Sequence, residues 1–208
     1  MAYKDEEILK ARRAMEQAAK QEEEKKHDKE VLDAELEESI FDGMIHIYGE
    51  EVPFARRHHE EYGVSMFMPT ESFELDELMK KALYPMESRP KYVYGHKSVN
   101  ITTSLNLTEH KIPVEQIQSF MDYAEKLLRV SGPKVTHLKK RMIKKENYQI
   151  GVIEFVSSAI DTKVYNTTFY VVVGENLLIG TIYFPLQYKD RQMKIVKEMV
   201  ESFEIDEK

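Results

Sequence analysis

Residues 177–185 read LLIGTIYFP, and this run of large apolar side chains closed by a proline predicts a buried β-strand. Residues 190–203 follow with apolar side chains at helical spacing, which predicts an amphipathic helix. Upstream, residues 163–173 predict a partner strand, and the segment 174–176 predicts a tight hairpin connection. A hairpin that runs directly into a covering helix favours a layered fold over a helical bundle.

Further strands and helices are predicted on the N-terminal side of this hairpin. Residues 135–145 and 148–158 alternate as strands, and Pro113 opens a helix that continues through Arg129. Earlier, residues 54–60 are polar and predict an edge strand. Strands in series with segregated helices predict an α+β fold, specifically an α/β/α sandwich with a central antiparallel sheet.

The first 40 residues differ in composition from the rest of the chain. They hold 8 Lys and Arg against 13 Asp and Glu, contain no Gly or Pro, and consist mainly of strong helix formers. We therefore divide the chain into a charged helical leader (residues 1–40), an N-terminal extension of the fold, and a globular domain (residues 41–208). Apolar residues recur at helical spacing in the leader, among them Ile8, Met15, Leu32 and Leu36. Two interpretations stay open: a solvated leader, or a helix that docks on a partner or on a second copy by self-association.

Several short segments of the body mark a known fold. The best mark is the closing strand, proline and amphipathic helix that begin at residue 177. The other marks are the strand into Met68-Pro69, Tyr84-Pro85 with Ser88-Arg89-Pro90, the run 153–157, and Asp161 with Tyr165-Asn166. Together, over roughly residues 42–206, they resemble the PsbP-like superfamily, which also contains DcrB-like and Eag-chaperone-like proteins. These are marks of a fold and contain no catalytic motif. The resemblance implies a binding module, since members mostly bind proteins, but it does not name the ligand.

We therefore expect a non-enzymatic protein-binding module without a cofactor, acting as an adaptor or chaperone for a secreted or toxin-like partner protein. Tyrosines carry a large contact area with a polar tip, and four of them fall on the C-terminal strands. These candidate contact residues are Tyr148, Tyr165, Tyr170 and Tyr183. The alternative for the same residues is ordinary packing of the sheet.

The alternative function is a small-molecule or metal-dependent enzyme that uses a pocket of the sandwich. His58, His59 and Glu60 are the nearest candidates for metal ligands. Neighbouring side chains of a strand point to opposite faces, so these residues supply only two ligands to one face. A solvated strand edge is the competing interpretation, because charges on an edge strand discourage aggregation.

Composition excludes several classes of function. The absence of Cys removes thiolate chemistry, disulfides and Cys-ligated zinc. Neither a nucleophile elbow nor a glycine-rich phosphate loop occurs. The basic residues 139–141 and 144–145 lie in an acidic chain without interleaved aromatics, so no nucleic-acid partner is expected. No run of 18 apolar residues and no apolar export segment are present, so we expect no membrane contact and a cytoplasmic location, with a composition that suits a bacterium.

Overall fold

The computed structural model describes residues 37–84, 89–97, 99–131, 134–158 and 162–206. The predicted leader helix and its residues Ile8, Met15, Leu32 and Leu36 lie outside these ranges, so the leader stays a prediction. The described residues contain three α-helices, namely α1 (Glu77–Leu83), α2 (Ile117–Ser131) and α3 (Lys189–Glu201). The strands are β1 (Met44–Ile47), β2 (Glu50–His59), β3 (Val64–Pro69), β4 (Phe73–Glu74), β5 (Tyr92–His96), β6 (Ile101–Lys111), β7 (Val135–Lys144), β8 (Gln149–Ser158), β9 (Lys163–Val173), β10 (Asn176–Pro185) and β11 (Glu204–Ile205).

The larger sheet has seven antiparallel strands in the order β4-β5-β6-β10-β9-β8-β7. Its second half is the predicted meander, and each predicted strand boundary agrees with the structure to within one residue. Gly174 adopts φ +64° in the turn that joins β9 to β10, a conformation that glycine enters at no steric cost. Both faces of β9 are buried over residues 167–172, which explains why residues 169–173 are apolar in succession.

The smaller sheet has four strands in the order β1-β2-β3-β11. The sequence predicted a single central sheet and did not predict the two-residue strands β4 and β11. It also predicted residues 54–60 as an edge strand, and the register agrees with this for residues 54–59. These residues pair with β3 on one side, whereas β1 pairs only with residues 50–53, so no described strand lies on their other side.

Helices cover both faces of the seven-stranded sheet, which confirms the α+β sandwich. One face packs against α3 and the smaller sheet, and the shared core contains Leu178, Ile182 and Phe184. The other face packs against α2 through a second core around Ile117 and Met121. None of the helices in the described part of the chain has both the length and the apolar character needed to cross a membrane.

The sequence from Thr70 to Leu83 predicts a further helix, because its apolar side chains recur at helical spacing, but the helix begins later than Thr70. Phe73 and Glu74 pair with β5 as strand β4, and α1 starts after Asp76. The Asp76 side chain accepts a hydrogen bond from the Met79 N–H at 2.8 Å, so it caps the first turn. The cap and the short strand together explain the shift of the helix start.

A glycine opposite a phenylalanine organises the main core. Gly180 on β10 faces Phe169 on β9, and the Phe169 ring lies where a side chain at residue 180 would stand. The ring also contacts Phe203 edge-on, with 5.5 Å between centroids. Phe169 and Phe203 are both fully buried. The contact therefore joins the β9–β10 hairpin to the chain that follows α3.

We predict that Gly180→Ala lowers the free energy of unfolding by about 1–3 kcal/mol, because the new methyl group overlaps the Phe169 ring. Urea unfolding followed by circular dichroism measures the change. The Phe169→Leu background is the control, since leucine lacks the outer ring atoms. In that background we expect Gly180→Ala to cost less by at least about 1 kcal/mol, and equal costs in both backgrounds would contradict the contact.

Candidate functional site

An open cleft of about 850 Å³ lies between the two sheets. Its walls are the end of β2, the turn from β7 to β8, and β11. The lining residues are His58, Lys145, Glu146, Asn147, Tyr148, Glu204, Ile205 and Asp206. The cleft brings together one predicted contact residue, Tyr148, and one predicted metal ligand, His58.

Tyr148 bridges the two sheets at the floor of this cleft. Its hydroxyl donates a hydrogen bond to the Phe203 carbonyl at 2.8 Å and also bonds to the Ile205 backbone. Burial raises the pKa of Tyr148, so the hydroxyl keeps its proton. The neighbouring Lys145 ammonium donates to the Glu201 carbonyl at 2.7 Å. The two side chains therefore attach the turn between β7 and β8 to the end of α3 and to the residues that lead into β11.

A polar network holds the other side of β11. Ser65 donates to Asp206 Oδ1 at 2.8 Å, and His58 Nδ1 lies 3.3 Å from Asp206 Oδ2. Arg56 bonds to Ser65 Oγ at 3.2 Å and to Glu204 at 3.0 Å. Burial alone would raise the pKa of Asp206, but the bonds from Ser65 and His58 and the charge of Arg56 outweigh it and lower that pKa. The carboxylate is therefore the charged centre of the network.

Serine, histidine and aspartate meet here, but their arrangement does not produce a nucleophile. A hydrolytic serine needs the histidine at its own oxygen, with the carboxylate behind the histidine. In this cleft both Ser65 and His58 bond to Asp206 instead. Ser65 is also fully buried. The geometry fits a structural network better than an acyl-transfer site.

The structure does not bring the predicted metal ligands together. His58 is exposed and bonds to Asp206, whereas His59 is buried on the opposite face of β2. Glu60 lies in the turn after β2 and is exposed. Within the described ranges, no group of three or more His, Asp or Glu side chains could hold a metal ion. The metal-dependent alternative therefore receives no support from these three residues.

His59 belongs to a buried aromatic cluster. Its ring lies 5.3 Å from that of Tyr92 and 5.6 Å from that of Tyr94, and its Nδ1 lies 3.4 Å from the Tyr94 hydroxyl. Burial, with the charge of Arg57 nearby, lowers the pKa of His59 from 6.5 to about 4. The imidazole is therefore neutral at physiological pH. Sequence reasoning missed this role because burial depends on the strand β5, which lies more than 30 residues away.

His96 is a second buried histidine, and each of its ring nitrogens has a hydroxyl group as hydrogen-bond partner. Its Nδ1 lies 2.6 Å from Ser72 Oγ, and its Nε2 lies 3.1 Å from Thr103 Oγ1. Burial lowers the pKa of His96 to about 3, and Arg57 adds to the shift. Neither buried histidine lines the cleft, so neither serves it as an acid or base.

The four predicted contact tyrosines do not form one surface. Tyr165 lies on the face of β9 that packs against α3, and Tyr170 lies on the face that packs against α2. Both are at least 94% buried. Burial raises the pKa of Tyr165, Tyr170 and Tyr183 to about 12. Tyr183 is half-buried and does not line the cleft, so Tyr148 is the one member of the set that does. Packing within the sheet accounts for Tyr165 and Tyr170.

An exposed apolar stripe on α2 is the surface that sequence reasoning missed. Tyr123, Leu127 and Val130 are 56%, 45% and 84% exposed. Their spacing of four and three residues places them on one face of the helix. Phe120 joins this stripe to the core, since its ring lies 6.4 Å from Tyr123 and 5.3 Å from the buried Tyr170. The signal was present in the sequence, because α2 has more apolar positions than one buried face needs.

Comparison with known proteins identifies the fold. The solution structure of cyanobacterial PsbP (CyanoP) from Synechocystis sp. PCC 6803 is similar, with a TM-score of 0.56 at 10% identity, over 73% of this chain and 92% of that one. The fold is PsbP-like. This agrees with the resemblance found in the sequence, and at 10% identity it establishes the fold alone.

Two further structures match more loosely. LpqN, involved in cell envelope biogenesis of Mycobacterium tuberculosis, has a TM-score of 0.48 at 11% identity, over 75% of this chain and 92% of that one. PA94 from Pseudomonas aeruginosa, a putative regulator, has a TM-score of 0.39 at 11% identity, over 70% and 94%. No family model matches the chain, and no curated protein matches it.

We predict that His59 makes the protein less stable in mild acid. Its pKa is 6.5 when unfolded and about 4 when folded, so below pH 6.5 the unfolded chain takes up a proton that the folded chain does not. Stability is therefore greatest above pH 6.5 and falls as the pH approaches 4. Between these two pKa values, the slope of the unfolding free energy against pH should be smaller in His59→Phe than in the wild type by about 1.4 kcal/mol per pH unit. This difference corresponds to the one proton that His59 takes up on unfolding.

Urea unfolding between pH 7 and pH 4 measures this slope. A residual slope is expected in the variant, because His96 follows the same rule down to about pH 3. An identical slope in the variant and the wild type would show that His59 is not the group that titrates.

Proposed function

We propose that the chain is a non-enzymatic protein-binding module that acts as an adaptor or chaperone for a secreted or toxin-like partner protein. The observation that carries this proposal is the stripe of Tyr123, Leu127 and Val130 on α2. An adaptor or a chaperone needs an exposed apolar surface on a stable scaffold. Here the scaffold is the seven-stranded sheet, to which α2 is anchored through Ile117 and Met121.

The stripe is large enough to contribute measurable binding energy. Complete burial of a Val, Leu or aromatic side chain stabilises by about 1.5–3 kcal/mol. Since these three side chains are about half exposed or more, covering them contributes roughly 1 kcal/mol each. Such a contribution fits one helix of a partner laid along α2, with apolar residues at spacings of three and four.

The charges around the stripe define the partner further. Asp122 and Glu125 both bind Lys140, and Glu125 also binds Arg129, so the charged side of α2 is satisfied within the protein. Lys126 is exposed and has no salt bridge with any described residue. The partner helix that fits best therefore carries an acidic residue beside its apolar positions.

The enzyme alternative has weaker support. His58 and Asp206 line the cleft and the buried Ser65 bonds to Asp206 behind them, an order of contacts that activates no nucleophile, and the buried His59 and His96 lie elsewhere. Self-association through Ile8, Met15, Leu32 and Leu36 is a separate proposal about the leader. If deletion of residues 1–38 leaves the number of chains per particle unchanged, as measured from the particle mass in solution, that result would count against it.

Binding of a designed helix tests the proposed surface. The probe is a helical 18-residue peptide with leucines at spacings of three and four and a glutamate beside them. We expect the wild type to bind it, and the variant Tyr123→Gln/Leu127→Gln/Val130→Gln to bind at least about tenfold more weakly, since about 1.4 kcal/mol is lost for each factor of ten. Isothermal titration calorimetry measures both affinities.

Two controls make this result specific. Glutamine is a good helix former, so the triple variant should keep its thermal unfolding midpoint close to that of the wild type. The variant Ser119→Ala/Lys126→Ala changes the same helix and should lose less than the triple variant. Equal binding of a scrambled peptide of the same composition, or full binding by the triple variant, would refute the proposed surface.

A further inference from the structure

Strand β7 forms an open end of the seven-stranded sheet. It is ten residues long, whereas β4 at the opposite end has only two. β7 pairs with β8 on one side, and no described strand lies on its other side. A long unpaired edge offers backbone groups to any extended chain that reaches it.

The register shows which backbone groups are available. The Lys145 N–H donates to the Tyr148 carbonyl at 3.0 Å, and bonded pairs alternate along an antiparallel ladder. The backbone groups of Arg141 and Ile143 therefore face β8, opposite Val152 and Ile150. The N–H and C=O groups of Lys140, Met142 and Lys144 consequently point outward.

The side chains of this edge carry uncompensated positive charge. Lys140 and Arg141 are engaged with acidic side chains of α2, β8 and α3. Lys139 and Lys144, in contrast, form no salt bridge with any residue that the structure describes, and Lys134 just before the strand is likewise unengaged. Lys139 and Lys144 lie on opposite faces of the sheet because side chains alternate along a strand.

These charges select the occupant of the edge. If two copies paired antiparallel about Met142, Lys139 of one copy would face Lys145 of the other and Lys140 would face Lys144, and like charges directly opposite are destabilising. An acidic segment would instead place a carboxylate beside each free lysine. Half-buried apolar side chains at Leu138, Met142 and Ile143 add contact area for its remaining residues.

We propose that β7 is a strand-addition site for an extended acidic segment of a partner protein. The segment pairs with Lys140, Met142 and Lys144 through its backbone, and two acidic residues five positions apart face Lys139 and Lys144. This proposal shares the idea of a protein partner with the function proposed above, but it does not depend on the apolar stripe of α2.

Amide hydrogen exchange with a defined peptide tests the proposal. The probe is a capped ten-residue peptide of alternating valine and threonine, with two glutamates five residues apart. In the free protein, the amides of Lys140, Met142 and Lys144 should exchange fast, and those of Arg141 and Ile143 slowly. With the peptide, we expect at least tenfold slower exchange at the first three amides and little change at the other two.

Two altered peptides separate strand pairing from simple charge attraction. A peptide N-methylated at alternate residues, so that it cannot pair, should bind at least tenfold more weakly. A peptide with lysines in place of the glutamates should not bind the wild type but should bind Lys139→Glu/Lys144→Glu. Equal binding of the methylated peptide would overturn strand addition in favour of an electrostatic contact.

Variants of the protein complete the test. Met142→Pro removes one outward N–H that the sheet does not use, so it should weaken peptide binding while its circular dichroism spectrum stays that of the wild type. The α2 variant Tyr123→Gln/Leu127→Gln/Val130→Gln should bind the acidic peptide normally, which separates a failure of this site from a failure of the stripe. In the free protein, the amides of Lys140, Met142 and Lys144 could instead be protected from exchange, with a protection that increases with protein concentration. That result would show that a second copy occupies the edge, and would overturn the proposal.

Discussion

The contact of the Phe169 ring with Gly180 is the constraint on which the rest of the structure depends. The ring occupies the space of a missing side chain on the neighbouring strand, and its edge meets Phe203 after α3. Through this one ring, the meander of the larger sheet determines where the chain emerges from its last helix. The position of β11, and with it the fourth strand of the smaller sheet, follows from that contact.

The polar groups near β11 continue this structural role. Tyr148 and Lys145 reach from the β7–β8 turn to carbonyl groups of Phe203 and Glu201, so the turn is attached to the end of the chain. On the other side of β11, the Asp206 carboxylate accepts hydrogen bonds from Ser65 and His58. A cleft with polar walls results, but five of its polar side chains already bond to other groups of the protein, namely His58, Lys145, Tyr148, Glu204 and Asp206. This accounts for a cavity that resembles an active site in composition and lacks the order of contacts that catalysis needs.

Two surfaces with unsatisfied groups lie elsewhere on the molecule. One is apolar and helical, on α2, and the other is cationic and extended, along β7. Ion pairs between α2 and β7 separate them, since Lys140 binds both Asp122 and Glu125. Neither surface is explained by the needs of the fold, because the core is complete beneath both. Their different chemistry indicates that a partner would meet α2 with a helix and β7 with an extended segment.

Local sequence determined the elements whose patterns depend only on neighbouring residues. The meander strands, α2, α3 and the PsbP-like order were all readable, because periodicity follows from backbone geometry. Strand alternation already places Tyr165 and Tyr170 on opposite faces of β9, a consequence of backbone geometry that the predicted set of contact tyrosines did not use. The tertiary structure alone decided that β1, β2, β3 and β11 form a second sheet, and that His59 is buried. Those outcomes depend on contacts between residues far apart in the chain, such as Phe169 with Phe203 and His59 with Tyr94, and no local pattern encodes them.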